Sequence, residues 1–121
     1  SIDIYIHPSF HEGLPRAVIE AMSRACPVVA SDAGGTDELI SKDAIHSRGD
    51  VEMLTNHILD LDQNENLLKS YAQENFNKSL EYTKDILQPR RDQFWEAFKK
   101  LAEKKSKKRH RLERRSAKKR R

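Results

Sequence analysis

Apolar and polar residues alternate from the start of the chain, Ile2, Ile4 and Ile6 being interleaved with Asp3, Tyr5 and His7. A period of two predicts a strand with one face in a core. Pro8 ends it, since proline cannot donate to a sheet ladder. Residues 9–13 read as a loop, and then the period lengthens. Ala17, Val18, Ala21, Met22 and Ala25 fall within one arc at about 100° per residue, which predicts an amphipathic helix over 15–25. Pro15 suits its first turn, where a missing N–H costs nothing. "PVVAS" (27–31) is a short β-branched strand, "DAGG" (32–35) a loop, and "TDELI" (36–40) a short helix with Thr36 as its cap.

A weaker signal over 43–50 leaves a short strand near 44–46. Asp50 then caps a helix with Val51, Leu54, Ile58 and Leu61 on one face. Another helix starts near Asn64, marked by Leu67, Leu68, Tyr71 and Ala72. A last helix spans 83–103, kinked or restarted at Pro89. Its apolar face, Phe94, Trp95, Phe98 and Leu101, is expected to dock into the core. Strands alternating with helices predict an α/β fold with a parallel sheet covered on both faces. Three strands make a narrow sheet with exposed edges. Together with an opening that already lies inside a strand pattern, this reads as the later part of a larger α/β domain.

Charge divides the 121 residues unevenly. From Lys99 onward there are 14 Lys and Arg against 2 acids, whereas residues 1–98 hold 9 against 17. The pI near 9.3 is thus a property of the C-terminal segment. The expected division is a folded part over 1–103 and a disordered basic tail, "KKSKKRHRLERRSAKKRR", over 104–121. Beyond a solvated extension, such a tail suits an anionic membrane surface. Nucleic acid ranks last, because the tail has no aromatic residue to stack on bases. Cys26 is the single cysteine, which excludes a disulfide framework and a Cys-rich metal site. No run approaches the roughly 20 apolar residues of a membrane span, and no signal peptide is visible.

The candidate chemistry lies in the loops. Ligands of open α/β sheets bind beyond the carboxyl ends of the strands, where "HPSFHEGLP" and "SDAGG" belong. Gly13-Leu14-Pro15 leads into a helix N-terminus, whose free amides and dipole favour an anion such as a phosphate. Glu12 precedes that site and Glu20 follows it on the helix. Carboxylates accept from neighbouring hydroxyls of a ribose or hexose, so the patch matches the ribose, diphosphate and sugar of a nucleotide-sugar. Plainer readings stand beside this one. Glu20 could form a surface ion-pair ladder with Arg16 and Arg24, and Glu12 could be a charge favoured by the helix dipole. Gly34-Gly35 could be a turn, and Cys26 a small buried hydrophobe. His7 and His11 straddle the site, but no carboxylate spacing completes a metal pair with them.

The stretch "HPSFHEGLPRAVIEAMSRACPVVASDAGGTDELI" resembles the signature segment of family-4 glycosyltransferases of the GT-B fold. The shared pattern is Pro-Ser-x-x-Glu-Gly-x-Pro, Glu-Ala-Met, Pro-Val-Val-Ala and Gly-Gly-x-x-Glu, with Glu12 and Glu20 as the family's Glu-x7-Glu pair. The resemblance is strong over about 1–40. It implies a partial Rossmann-like parallel sheet followed by helices. It also implies a retaining transfer, in polysaccharide biosynthesis, from a nucleotide-sugar donor to a saccharide or lipid-linked acceptor. Neither a metal nor a cofactor is required, and the site is cytoplasmic or at the membrane face. By similarity Glu20 holds the ribose, and Glu12, the catalytic residue, contacts the donor sugar. Gly13 and Leu14 offer backbone N–H groups, Pro15 opens the helix, and Gly34 and Gly35 let the second loop pass close. Cys26 stands where a Gly usually precedes Pro-Val-Val, and Asp37 where a Pro often precedes the last Glu. The acceptor domain and the diphosphate-neutralising basic residues are absent from these 121 residues, so activity is expected to need an N-terminal half or a partner chain. The alternative from another class is a non-enzymatic basic protein that binds through its tail.

Overall fold

The computed structural model describes residues 3–119, with side chains through Arg109; Ile2, the first of the alternating isoleucines, and residues 120–121 of the basic tail lie outside them. Two compact units appear, 1–83 and 84–121.

The first unit is built on three parallel strands in the order β1-β2-β3, with β1 at Tyr5–His7, β2 at Val28–Ser31 and β3 at Ile45–His46. Tyr5 pairs with Val28 and His7 with Ala30, while Ala30 and Ser31 pair with Ile45 and His46. The chain returns through helix α1 (Arg16–Ser23), then two 3-10 turns (Gly34–Glu38 and Lys42–Ala44), and continues into α2 (Val51–Gln63) and α3 (Glu65–Ser79). The expected α/β architecture with a parallel sheet is therefore present.

Burial explains the register. β2 is buried along its whole length, as a central parallel strand must be. Val28 and Ala30 join Val18 and Met22 of α1, with Leu39, Ile40 and Ala44, in one core, closed by Tyr5, Tyr71 and Tyr82. Val29 and Ser31 alternate to the other side and are also buried, and α2 packs against β2. Asn75 of α3 donates to the Cys26 carbonyl at 3.1 Å, tying the third helix to the turn before β2.

Asp50 caps α2 as expected, accepting from the Met53 amide, and Asn64, near which a helix start was expected, caps α3 by accepting from the Leu67 amide. Three local expectations are corrected. Thr36 is not a cap; it is fully buried inside its 3-10 turn and donates to the Ala33 carbonyl. Val51 is 71% exposed, because the first residue of α2 precedes the face that meets the sheet. Helix α1 ends at Ser23, and the left-handed residue closing it is Ala25, at φ +54°. Ala25 N–H bonds to the Met22 carbonyl and Cys26 N–H to the Ala21 carbonyl, a Schellman closure whose left-handed position normally holds glycine. The position in this turn that favours glycine is Ala25, one residue before Cys26.

The second unit is a single helix, α4, over Lys84–Lys119. It does not restart at Pro89, which sits inside it without an N–H to give to the preceding turn. It also continues through the basic segment from 104, where irregular chain was expected. Lys, Arg, Ala, Glu and Leu dominate that stretch, and all are strong helix formers. The boundary between the two compact units falls at Thr83. Phe94, Trp95, Phe98 and Leu101 are not core residues; they are 61%, 52%, 53% and 61% exposed. Helical periodicity shows that they share a face, but not what covers it.

Candidate functional site

Two loops meet at the carboxyl edge of the sheet, one after β1 and one after β2. Their junction is set by glycine. Gly34 has φ +57°, and a Cβ there would collide with the carbonyl oxygens of Glu12 and Gly13. Gly35 N–H donates to the Gly13 carbonyl at 2.7 Å. The close approach of the Gly-Gly loop is therefore to the neighbouring loop of the same chain. Gly13 differs: its φ is ordinary and a Cβ would meet nothing within 4 Å. Neither strain nor packing inside the chain demands glycine at that position.

Ser31 reinforces the junction. Buried at the end of β2, its hydroxyl donates to the Ser9 carbonyl and lies 3.5 Å from that of His7. From the other side, Arg48 reaches Asp32 through its backbone N–H and its Nε, each at 3.0 Å. The Asp32 amide donates to the His46 carbonyl. The sequence reading missed Ser31, Asp32 and Arg48. The one signal for Ser31 was a small polar residue closing an otherwise apolar strand.

Glu12 is partly buried, with Oε1 2.9 Å from His7 Nε2 at the end of β1. Hydrogen bonds from Ser9 and then His7 hold its carboxyl below the usual carboxylate range. An ionised carboxylate only accepts, so His7 carries the shared proton on Nε2. His7 is thus a partner of Glu12, stacked against Tyr5 at 6.0 Å between ring centroids.

Pro15 is buried and occupies the N-cap of α1, one position before the expected first turn. No side chain caps the helix and no acid lies in its first turn. Its leading amides therefore have no side-chain acceptor, and no acid of the helix's own first turn offsets the dipole. Leu14, before it, is 44% exposed, with Cδ1 3.2 Å from where a Gly35 Cβ would stand. Glu20, one turn into α1, is exposed. Among the described residues, the ion-pair ladder with Arg16 and Arg24 is not formed. Glu12, Gly13, Leu14, Gly34 and Gly35 are thus brought together, and Pro15 and Glu20 follow them into α1.

His11 is exposed. Among the described residues, no group of three or more His, Cys, Asp or Glu is placed to hold a metal ion. Cys26 is buried, and burial first of all pushes its thiol above the ordinary value, which opposes thiolate chemistry.

This arrangement coincides with a known family. The model of "Glycosyl transferases group 1" matches residues 1–78. The chain belongs to that family. Protein CapJ of Staphylococcus aureus is 38% identical over 76 residues, 62% of this chain and 18% of the relative. A GDP-mannose-dependent alpha-mannosyltransferase of Mycolicibacterium smegmatis is 44% identical over 41 residues, 34% of this chain and 11% of the relative. The putative teichuronic acid biosynthesis glycosyltransferase TuaC of Bacillus subtilis is 42% identical over 40 residues, 33% of this chain and 10% of the relative. The chain spans less than a fifth of the length of each of these relatives. Membership makes the three-stranded sheet part of a GT-B Rossmann-like sheet, and polysaccharide biosynthesis fits the relatives' names. No helix among the described residues is long and apolar enough to cross a membrane.

Proposed function

We propose that this chain carries part of the donor site of a retaining glycosyltransferase, and that the site holds a nucleotide-diphosphate sugar for transfer to a saccharide or lipid-linked acceptor. The observation that carries this reading is the uncapped, acid-free N-terminus of α1 beside the junction of the two loops, with Glu12 on one side and Glu20 on the other.

The leading amides of α1 and those of Gly13 and Leu14 donate to the diphosphate and stabilise the negative charge that grows on it as the sugar leaves. The open space at Gly13 leaves the backbone accessible there. Glu20, free of Arg16 and Arg24, accepts from the ribose hydroxyls. Glu12, kept ionised by Ser9 and His7, accepts from a hydroxyl of the donor sugar and orients it. Gly34 and Gly35 hold the second loop against the first. No metal is needed, because amide donors meet the diphosphate. The acceptor approaches from a second wall, supplied by an N-terminal half or a partner chain.

Titration calorimetry with UDP and GDP tests the reading, GDP being apt because one relative is named for GDP-mannose. The expected affinity is near 1 mM, about 4 kcal/mol. Losing a charge-assisted hydrogen bond in Glu20→Ala should weaken binding about tenfold or more, and removing 104–121 should change it little. Equal binding by Glu20→Ala, with loss only on removing 104–121, overturns the reading in favour of a basic protein that captures anions.

A further inference from the structure

Helix α4 carries a charge pattern that the donor site does not use. Leu87, Phe94, Phe98 and Leu101 are exposed and line one stripe, with Trp95 at its edge. The stripe runs about 21 Å at 1.5 Å per residue. Its rings form a continuous cluster, with centroids 5.4 Å apart for Phe94 and Trp95, 5.8 Å for Trp95 and Phe98 and 6.4 Å for Phe94 and Phe98.

The charges sort around this stripe. Between Lys84 and Arg109 there are ten Lys and Arg and four acids. Asp85, Asp92, Glu96 and Glu103 all fall within an arc of about 40° on the side opposite the stripe. Lys84, Arg91 and Arg109 border the stripe on one side, and Arg90, Lys104 and Lys108 on the other. Lys99, Lys100 and Lys107 lie toward the acids and Lys105 continues the line of the stripe, so negative charge is confined to the back of the helix while six of the ten bases flank the apolar face.

We propose that α4 is a membrane-surface helix that lies along an anionic lipid bilayer. Phe94, Trp95, Phe98 and the two leucines enter the boundary between headgroups and acyl chains. The flanking bases reach lipid phosphates while their methylene stems stay along the apolar face, and the acids point to water. A second copy of the chain fits poorly. With Leu87, Phe94 and Leu101 at one seam position of a heptad, the other holds either Arg90, Ala97 and Lys104 or Lys84, Arg91, Phe98 and Lys105, so bases interrupt the seam in both registers. Pairing would also set bases against bases. Single-stranded nucleic acid would use separate ring faces, whereas these rings pack on one another between aliphatic side chains. The proposal is independent of the donor site.

Trp95 is the single tryptophan, so its fluorescence reports this face alone. The 121-residue chain is mixed with phosphatidylcholine vesicles containing about 30% phosphatidylglycerol, or none, and sedimented. Expected are association with the anionic vesicles only, a blue shift of Trp95, and severalfold weaker binding in about 0.5 M salt. Phe98→Ser should weaken binding about tenfold, while Phe98→Leu, which keeps the apolar surface and the helix, stays close to the parent. No association overturns the proposal. So does association with unshifted Trp95 emission, which would mean contact through charge alone. It is equally overturned if the stripe is already covered in a dimer that Phe98→Ser makes monomeric, or if a single-stranded oligonucleotide quenches Trp95 and displaces the vesicles.

Discussion

The two units reach regular structure by opposite routes. In residues 1–83 burial decides: a wholly buried strand, α1 and the neighbouring turns share one core, and polar groups such as Ser31 and Asn75 are tied to backbone across the fold. In α4 every described side chain of 84–109 except Gln88 is exposed, so helical propensity and charge placement take the place of packing. Sequence changes should therefore act through tertiary collision in the first unit and through surface chemistry in the second.

The largest effect should come where backbone meets backbone. Gly34→Val adds a side chain at φ +57° against the Glu12 and Gly13 carbonyls. It should cost more than about 3 kcal/mol, combining left-handed strain with overpacking. Hydrogen exchange at the β2 amides should lose its protection accordingly. Gly13→Ala, with open space at its Cβ, should stay within about 1 kcal/mol. Equal losses for the two variants would remove the distinction between a glycine required by the fold and one that leaves space for a ligand.

A gain is expected at the end of α1. Ala25 holds the left-handed closing position of a Schellman motif. Ala25→Gly should stabilise the first unit by about 1 kcal/mol, read as a higher urea midpoint at unchanged slope. The resemblance marked a departure from glycine at Cys26, and which residue of the turn bears the positive φ is set by its hydrogen bonds, which spacing does not reveal.

Other features divide in the same way between what is local and what is distant. The three strands, the Asp50 cap and the helix start near Asn64 were legible because period, punctuation and cap chemistry act within a few residues. The ties of Ser31 to Ser9, Asp32 to Arg48 and Asn75 to Cys26 span 22, 16 and 49 residues and have no local signature. Of the site, the glutamate spacing and the glycine pair were legible, while the role of His7 as the partner of Glu12 depended on a loop geometry that pattern does not supply. The aromatic face of α4 was misread for a related reason: amphipathicity is a property of one helix, and burial is a property of two.

Glu12 makes the first unit sensitive to acid. Its folded-state pKa lies below the ordinary 4.5, chiefly through Ser9 and His7. A carboxyl depressed on folding contributes stability above its unfolded value, and loses that contribution as pH falls through the folded one. The parent should therefore soften below pH 4.5, and Glu12→Gln should remove that part of the slope. Unfolding midpoints measured from pH 6 down to about 3 provide the check, and parallel curves for the two proteins would show that the Ser9–His7 cradle adds nothing to folding.

The smallest effect should appear in α4. Phe98 is 53% exposed, and the rings it touches, Phe94 and Trp95, are on the same surface. Phe98→Ser removes a large apolar side chain, a change that costs several kcal/mol in a core. Here it should shift the urea midpoint of the first unit by less than about 0.5 kcal/mol, the range of ordinary surface substitutions. Tyrosine absorbance should follow that transition cleanly, since Tyr5, Tyr71 and Tyr82 all pack on the core of the first unit. A shift of core size would mean that this face is buried when the protein is folded in solution, and the contrast between a packed unit and a surface helix would fail at the residue chosen to represent it.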